Sequence, residues 1–180
     1  AKAAVDESAI VTLISGPVTL ETPERVKRID IESAEEMKEH VTANLSDIDL
    51  FISTAAVADF KMKTVEPQKI KKDRSKNMNL SLEKNEDILK HVSDNNPDLK
   101  IVGFAAETEN MIDNARKKLS SKNLNLIVAN DVSDSSIGFD SNNNEVTLIT
   151  EKEELKIPKT SKEKVARKIV QFISKNILND

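Results

Sequence analysis

Short, nearly continuous runs of aliphatic and β-branched residues alternate along this chain with segments whose apolar residues recur every three or four positions. Residues 9–15 (Ala-Ile-Val-Thr-Leu-Ile-Ser), 26–31, 50–56, 99–104 and 124–129 read as buried strands. Between them, Met37, Val41 and Leu45 repeat behind a Ser33–Glu36 capping box over residues 33–45, residues 87–92 carry a helical pattern stopped by Asn95-Asn96-Pro97, and 112–119 read as a further helix. Strands separated by helices demand crossover connections, which predicts a doubly wound, mostly parallel α/β sheet. Residues 146–149 and 154–157 read as a hairpin at an antiparallel edge, and Thr160 with Glu163 caps a last helix whose inner face is Val165, Ala166, Ile169, Val170, Phe172 and Ile173. Residues 1–5 read as the back half of a helix with no strand before it. The lysine-rich segment 59–78 has few large apolar residues and reads as a loop or projecting arm, followed by a short alternating strand at 79–82.

Composition narrows the function classes. The 180 residues contain three glycines, Gly16, Gly103 and Gly138, none close to another. A glycine-rich phosphate loop of the Walker or dinucleotide type needs several within a few positions. The chain has no cysteine, which removes disulfides, thiol nucleophiles and thiolate metal sites. A net charge of −4 argues against general nucleic-acid binding. No apolar run approaches the roughly 18 residues of a membrane span, and no secretory signal opens the chain, so the expectation is one cytoplasmic domain over residues 1–180.

Ligands of open parallel sheets bind beyond the carboxyl ends of the strands. Segments 53–60, 103–108 and 129–131 and the Gly16-Pro17 loop fall there. In 103–108 (Gly-Phe-Ala-Ala-Glu-Thr) the small side chains either let a ligand approach the backbone or let a helix pack tightly on the strand; both readings stay open. Lys117, Lys118 and Lys122 fit a solvated helix face, whereas Lys69, Lys71 and Lys72 cluster where no helix needs solubilising and suit a polyphosphate. Asp131 ends an apolar strand, where a carboxylate meets a magnesium-bound phosphate or a ribose hydroxyl, or serves as a turn residue. His40 and His91 sit alone on helices without metal-ligand spacing and read as structural.

In order along the chain, Ser15-Gly16-Pro17-Val18, Ala55-Ala56-Val57-Ala58-Asp59-Phe60, Lys69-Ile70-Lys71-Lys72, Lys84-Asn85 with Asp87-Ile88, Gly103-Phe104-Ala105-Ala106-Glu107-Thr108, Leu126-Ile127-Val128-Ala129-Asn130-Asp131, and Gly138-Phe139 with Val146-Thr147-Leu148-Ile149 resemble the phosphopantothenate–cysteine ligase family. The resemblance implies a Rossmann-like three-layer fold with a projecting dimerisation arm. It also implies a CTP-dependent ligase of coenzyme A biosynthesis that joins 4′-phosphopantothenate to L-cysteine through an acyl-cytidylate. Bacterial members are often fused behind a flavin-dependent decarboxylase, and this domain itself is expected to need no FMN.

Carried over by motif, Lys118 corresponds to the catalytic lysine and Asn85 to the asparagine that holds the acyl-cytidylate. Gly103, Phe104, Ala105, Ala106, Asp131, Phe139 and Lys122, with Lys118, are implied to surround the nucleotide. Ala56, Asp59, Lys69, Lys71 and Lys72 are implied to serve substrate or phosphate across a homodimer. Mg²⁺ is expected on the CTP phosphates, with no direct metal motif in the chain. Two departures stand out: Glu86 occupies a position usually held by proline, and the family's opening strand with its Gly-Gly-Thr loop has no counterpart here. A non-catalytic nucleotide-binding or dimerisation module is the alternative reading. A nicotinamide-dependent oxidoreductase would share the sheet but requires the missing glycine-rich turn.

Overall fold

The computed structural model describes residues 1–65, 68–69, 79–131 and 141–179. In chain order the elements are α1 (Lys2–Asp6), β1 (Val11–Ser15), β2 (Val26–Asp30), α2 (Ala34–Ala43), β3 (Leu50–Ser53), β4 (Phe60–Met62), β5 (Leu82–Lys84), α3 (Ile88–Asn95), β6 (Lys100–Glu107), α4 (Met111–Ser121), β7 (Leu126–Asp131), β8 (Asn143–Ile149), β9 (Glu154–Ser161) and α5 (Lys162–Asn176). Five strands form one sheet in the order β3-β6-β7-β8-β9. The β3–β6 and β6–β7 ladders are parallel, and β8 and β9 add the expected antiparallel edge. β1 and β2 form a separate parallel pair.

Helices cover both faces, as the doubly wound pattern requires. On one face Val41 of α2, Ile88 and Val92 of α3, and Ala115 and Leu119 of α4 pack with Ile101, Ala105 and Ile127 of the sheet. On the other, Val165, Ile169, Phe172 and Ile173 of α5 cover Val102, Leu126, Val128 and Leu148. α1 lies on this second face, with Ala3 and Val5 buried and Glu7 accepting a hydrogen bond from Gln171 of α5 at 3.3 Å. No ladder joins β1 to β3 among the described residues, although Ile14 and Phe51 from these strands pack against the same apolar cluster.

Local signals predict the helix starts well. Ser33 accepts from the Glu36 N–H at 3.1 Å, while the Glu36 carboxylate reaches back to the Glu32 N–H at 2.8 Å, one residue before the usual capping-box donor. The last helix is capped by Ser161, which accepts from Lys164 N–H at 3.3 Å, rather than by Thr160. Several strands differ from expectation: β5 begins only at Leu82, whereas 79–82 reads as strand, and β8 and β9 extend the edge hairpin to Asn143–Ile149 and Glu154–Ser161. β3 stops at Ser53, so 54–59 is irregular backbone. β6 continues through Glu107: Gly103-Phe104-Ala105-Ala106-Glu107 is strand, held by the ladder to β7 after β3 has ended at the Ser53–Gly103 pair. The arm contains a strand, β4, which pairs antiparallel with β5 so that Phe60 faces Lys84 and Met62 faces Leu82.

Candidate active site

Strand β6 outruns β3 by the residues 104–107, which leaves a step at the carboxyl end of the sheet next to the irregular segment 54–59. Alternation along β6 sends Ala105 into the core under α4 and leaves Phe104 and Ala106 exposed, on the side of Val102 but beyond the cover of α5. An exposed aromatic ring beside an alanine at a strand end is a platform on which a planar group can stack. Asp131 pairs in register with Glu107 at the ends of β7 and β6.

Gly103 lies below this step. A Cβ built there would sit 2.8 Å from Leu124 Cδ1 and 3.1 Å from Leu89 Cδ2. The geometry therefore supports the packing alternative for this glycine.

Each of the two candidate lysines of α4 and its following turn has its own carboxylate. Lys118 Nζ lies 2.5 Å from Glu107 Oε1, and the Glu107 side chain is largely buried, with its other oxygen accepting from Asn114 Nδ2 at 3.2 Å. Lys122, just past the end of α4, pairs with Asp87 Oδ2 at 2.7 Å.

Asp87 belongs to a three-residue junction. Asn85 donates its backbone N–H to Asp59 O and its side-chain Nδ2 to Ala58 O, both at 2.8 Å, which fastens it to the segment that leaves β3. Glu86 takes Lys38 Nζ of α2 at 2.6 Å and His91 Nδ1 of α3 at 3.1 Å. Asp87 caps α3 by accepting from the Lys90 N–H at 3.0 Å while its second oxygen holds Lys122. The Asn85 side-chain oxygen accepts nothing from the described residues, which leaves an amide acceptor beside the Asp87–Lys122 pair.

Both carboxyls of this junction are held below their ordinary range. Burial would raise the Asp87 carboxyl, but the hydrogen bonds from Lys122 and from the Lys90 N–H outweigh it and hold it below its ordinary range. The Lys38 hydrogen bond, with help from His91, likewise holds Glu86 low against a smaller opposing effect of burial.

The structure thus ties Asn85 to Asp59 and Lys122 to the nearby Asp87, and sets Lys118 against Glu107 on the Ala105 side of β6, with Asp131 in register beside Glu107, whereas Phe104 and Ala106 face the other side of the strand. Ala56 and Lys69 are exposed, Ala56 in the segment after β3. Lys71, Lys72, Phe139 and Gly138 lie outside the described residues. Sequence reasoning missed Lys38, Asp87 and His91. His91 is not an isolated helix residue but a partner of Glu86, and only the spacing of Glu86 and His91 across the first turn of a helix hinted at it.

A model of the C-terminal domain of the DNA/pantothenate metabolism flavoproteins matches residues 1–177. The chain belongs to this family. It is 46% identical over 177 residues to the coenzyme A biosynthesis bifunctional protein CoaBC of Vibrio vulnificus strain YJ016, covering 96% of this chain and 44% of that protein. To the CoaBC of Escherichia coli strain K12 it is 43% identical over 178 residues, covering 96% of this chain and 43% of that one. Among solved structures, a crystal structure of the C-terminal domain of CoaBC superposes with a TM-score of 0.82 at 36% identity, over 99% of this chain and 80% of the other. The chain therefore spans less than half the length of the curated relatives it matches. Within this flavoprotein C-terminal domain family, the present chain places its acidic junction 85–87 between helices α2 and α3 and the end of α4.

Proposed function

We propose that this domain is the phosphopantothenate–cysteine ligase of coenzyme A biosynthesis and uses CTP to activate the acid. The observation that carries the reading is the junction 85–87, where an amide with a free acceptor, a cation and the step beyond β3 converge in a family whose named relatives act in coenzyme A biosynthesis. A carboxylate does not condense with an amine at neutral pH, so a leaving group must be installed first. In the reaction proposed, a carboxylate oxygen of 4′-phosphopantothenate attacks the α-phosphorus of CTP, the bond to the β,γ-phosphates breaks, and pyrophosphate leaves. The cysteine amine then attacks the acyl carbon of the mixed anhydride, CMP departs, and the amine proton goes to solvent.

Charge accumulates on the transferring phosphoryl group in the first step, and preorganised cations lower that barrier. Lys122 and Lys118 supply them, each released from its carboxylate when the nucleotide arrives. Lys122 is tied to the Asn85 segment, so we assign it the acyl-cytidylate side, with Lys118 toward the triphosphate near the step. Asn85 holds the intermediate through its amide without adding charge. Phe104, Ala105 and Ala106 frame the base, with Phe139 and Asp131 on the nucleotide side. Gly103 supports that wall from below.

Among the described residues no group of three or more histidines and carboxylates is disposed to hold a metal, and no step is routed through one. Mg²⁺ enters as part of the CTP substrate. In this proposal the site is completed by a second copy of the chain. The β4–β5 pair turns Phe60, Met62 and Leu82, together with Lys84, to one face, where Phe60 is 58% exposed, and Lys61 and Glu83 to the other, 3.6 Å apart. A two-stranded ribbon with a bare apolar face is marginal alone. Its partner in a homodimer would cover it and bring Ala56, Asp59, Lys69, Lys71 and Lys72 toward the facing site. Fusion to a flavin-dependent decarboxylase would account for the remaining length of the relatives.

The test is pyrophosphate release from CTP with 4′-phosphopantothenate, followed by amide formation on adding L-cysteine, with ATP in place of CTP as control and calorimetry for binding. Lys122→Gln and Lys118→Gln should each lower pyrophosphate release about 100-fold or more with the fold intact. CTP binding without turnover by the dimer would favour the non-catalytic alternative.

A further inference from the structure

We propose that Glu86 is a positioning residue: its carboxylate ties α2 to α3 and thereby holds the turn that presents Asn85. The inference rests on the ligase reading only for its catalytic consequence. Asn85, Glu86 and Asp87 are consecutive, yet each is fastened to a different part of the fold. Asn85 is held at 58–59, Asp87 by α3 and Lys122, and Glu86 by Lys38 and His91.

The middle residue has the contacts that join the two outer ones to the helical layer. Lys38 comes from α2, one crossover earlier in the chain, and no other side-chain hydrogen bond or ion pair among the described residues links α2 to the 85–87 turn. Both Glu86 oxygens are engaged, which fixes the carboxylate plane and with it the peptide between Asn85 and Asp87. The Glu86 N–H itself has no acceptor among the described residues. Backbone hydrogen bonding therefore does not hold the turn at this position, and side-chain ties take that role. A ring that fixes φ could substitute for them at no cost in hydrogen bonds.

The rigidity matters because the two ties of Asn85 are to irregular backbone. A turn free to pivot would open the N–H bond to Asp59 and move the side-chain amide. Exposed ion pairs and hydrogen bonds each shift an equilibrium only modestly, so the loss of both Glu86 contacts should raise the open population about three- to tenfold.

The experiment measures hydrogen exchange at the Asn85 backbone N–H by NMR in the wild-type protein, Glu86→Gln, Lys38→Met, the double variant and Glu86→Pro, with kcat and KM for pyrophosphate release in parallel. Glu86→Gln should exchange about three- to tenfold faster and lose kcat by a similar factor, with KM for CTP within twofold and only the small drop in global unfolding midpoint that an exposed ion pair is worth. Lys38→Met, which leaves the His91 contact in place, should act in the same direction by a smaller factor, and the double variant should add nothing to Glu86→Gln. Proline at 86 should restore slow exchange and turnover without any charge. Exchange in Glu86→Gln within twofold of wild type, or proline exchanging as fast as glutamine, overturns the proposal. A wild-type protein that binds no CTP and makes no product overturns the ligase reading instead, and the exchange rates still decide the role of Glu86.

Discussion

Gly103→Ala separates packing from ligand contact at the one glycine described in the centre of the sheet. The added Cβ would meet Leu124 Cδ1 at 2.8 Å and Leu89 Cδ2 at 3.1 Å. Carbon atoms rest about 3.5–4.0 Å apart, so the Leu124 methyl must retreat by roughly 0.7 Å and the Leu89 methyl by roughly 0.4 Å. Both are ends of flexible side chains, but Leu124 is buried and has little room to give. Overpacking of this kind costs about 1–3 kcal/mol, and the lower half of that range is expected here. Leu124→Ala alone opens a cavity and costs about 2–5 kcal/mol. In the double variant the new Cβ grows into the space the leucine vacated and meets only Leu89. The double variant should then be more stable than the sum of the singles by about 1 kcal/mol or more, beyond the roughly 0.3–0.5 kcal/mol within which independent sites add. Urea unfolding of the four proteins measures the cycle, and calorimetry with CTP measures binding. Additive stabilities together with a Gly103→Ala protein of unchanged stability and weakened CTP binding would refute the packing argument and return this glycine to the ligand.

Acid should loosen the 85–87 junction. Asp87 and Glu86 titrate below their ordinary values of 3.8 and 4.5 in the folded chain, so the unfolded chain binds more protons in that window. Their contribution is complete above the ordinary values and is lost as pH falls through the lowered ones; urea unfolding between pH 6 and about pH 3 should show a smaller decline in Asp87→Asn and Glu86→Gln than in wild type. Phe60→Asp should shift the protein from dimer to monomer in sedimentation while leaving helix content unchanged, because Phe60 contributes its exposed ring to the arm and not to the core; a wild-type monomer at micromolar concentration would remove the dimer from the proposal. Leu148→Ala, a fully buried side chain of β8, should cost about 2–5 kcal/mol in the same urea assay.

What could be read from the chain divides by the range of the interaction behind it. The Ser33–Glu36 box and the stop at Asn95-Asn96-Pro97 are built from residues within a turn of one another, and α2 and α3 follow them closely. β4 has only Phe60, Lys61 and Met62, and its strand character exists because Leu82–Lys84 lies beside it after a long excursion of the chain. Nothing in three residues between Asp59 and Lys63 announces that pairing. The same holds for Ala105-Ala106, residues of poor strand propensity that extend β6 because β7 pairs with them through Asp131. The candidate site shows the division at the level of single side chains. Motif resemblance singled out Asn85, Lys118 and Lys122 without saying which cation belongs with the asparagine. The choice between the lysines turns on Asp87, whose two oxygens face a helix start and a lysine 35 positions further along the chain. A carboxylate can cap its own helix by local rules, but which cation it holds depends on how β6 and α4 return the chain to it, and that is settled only when the sheet has formed.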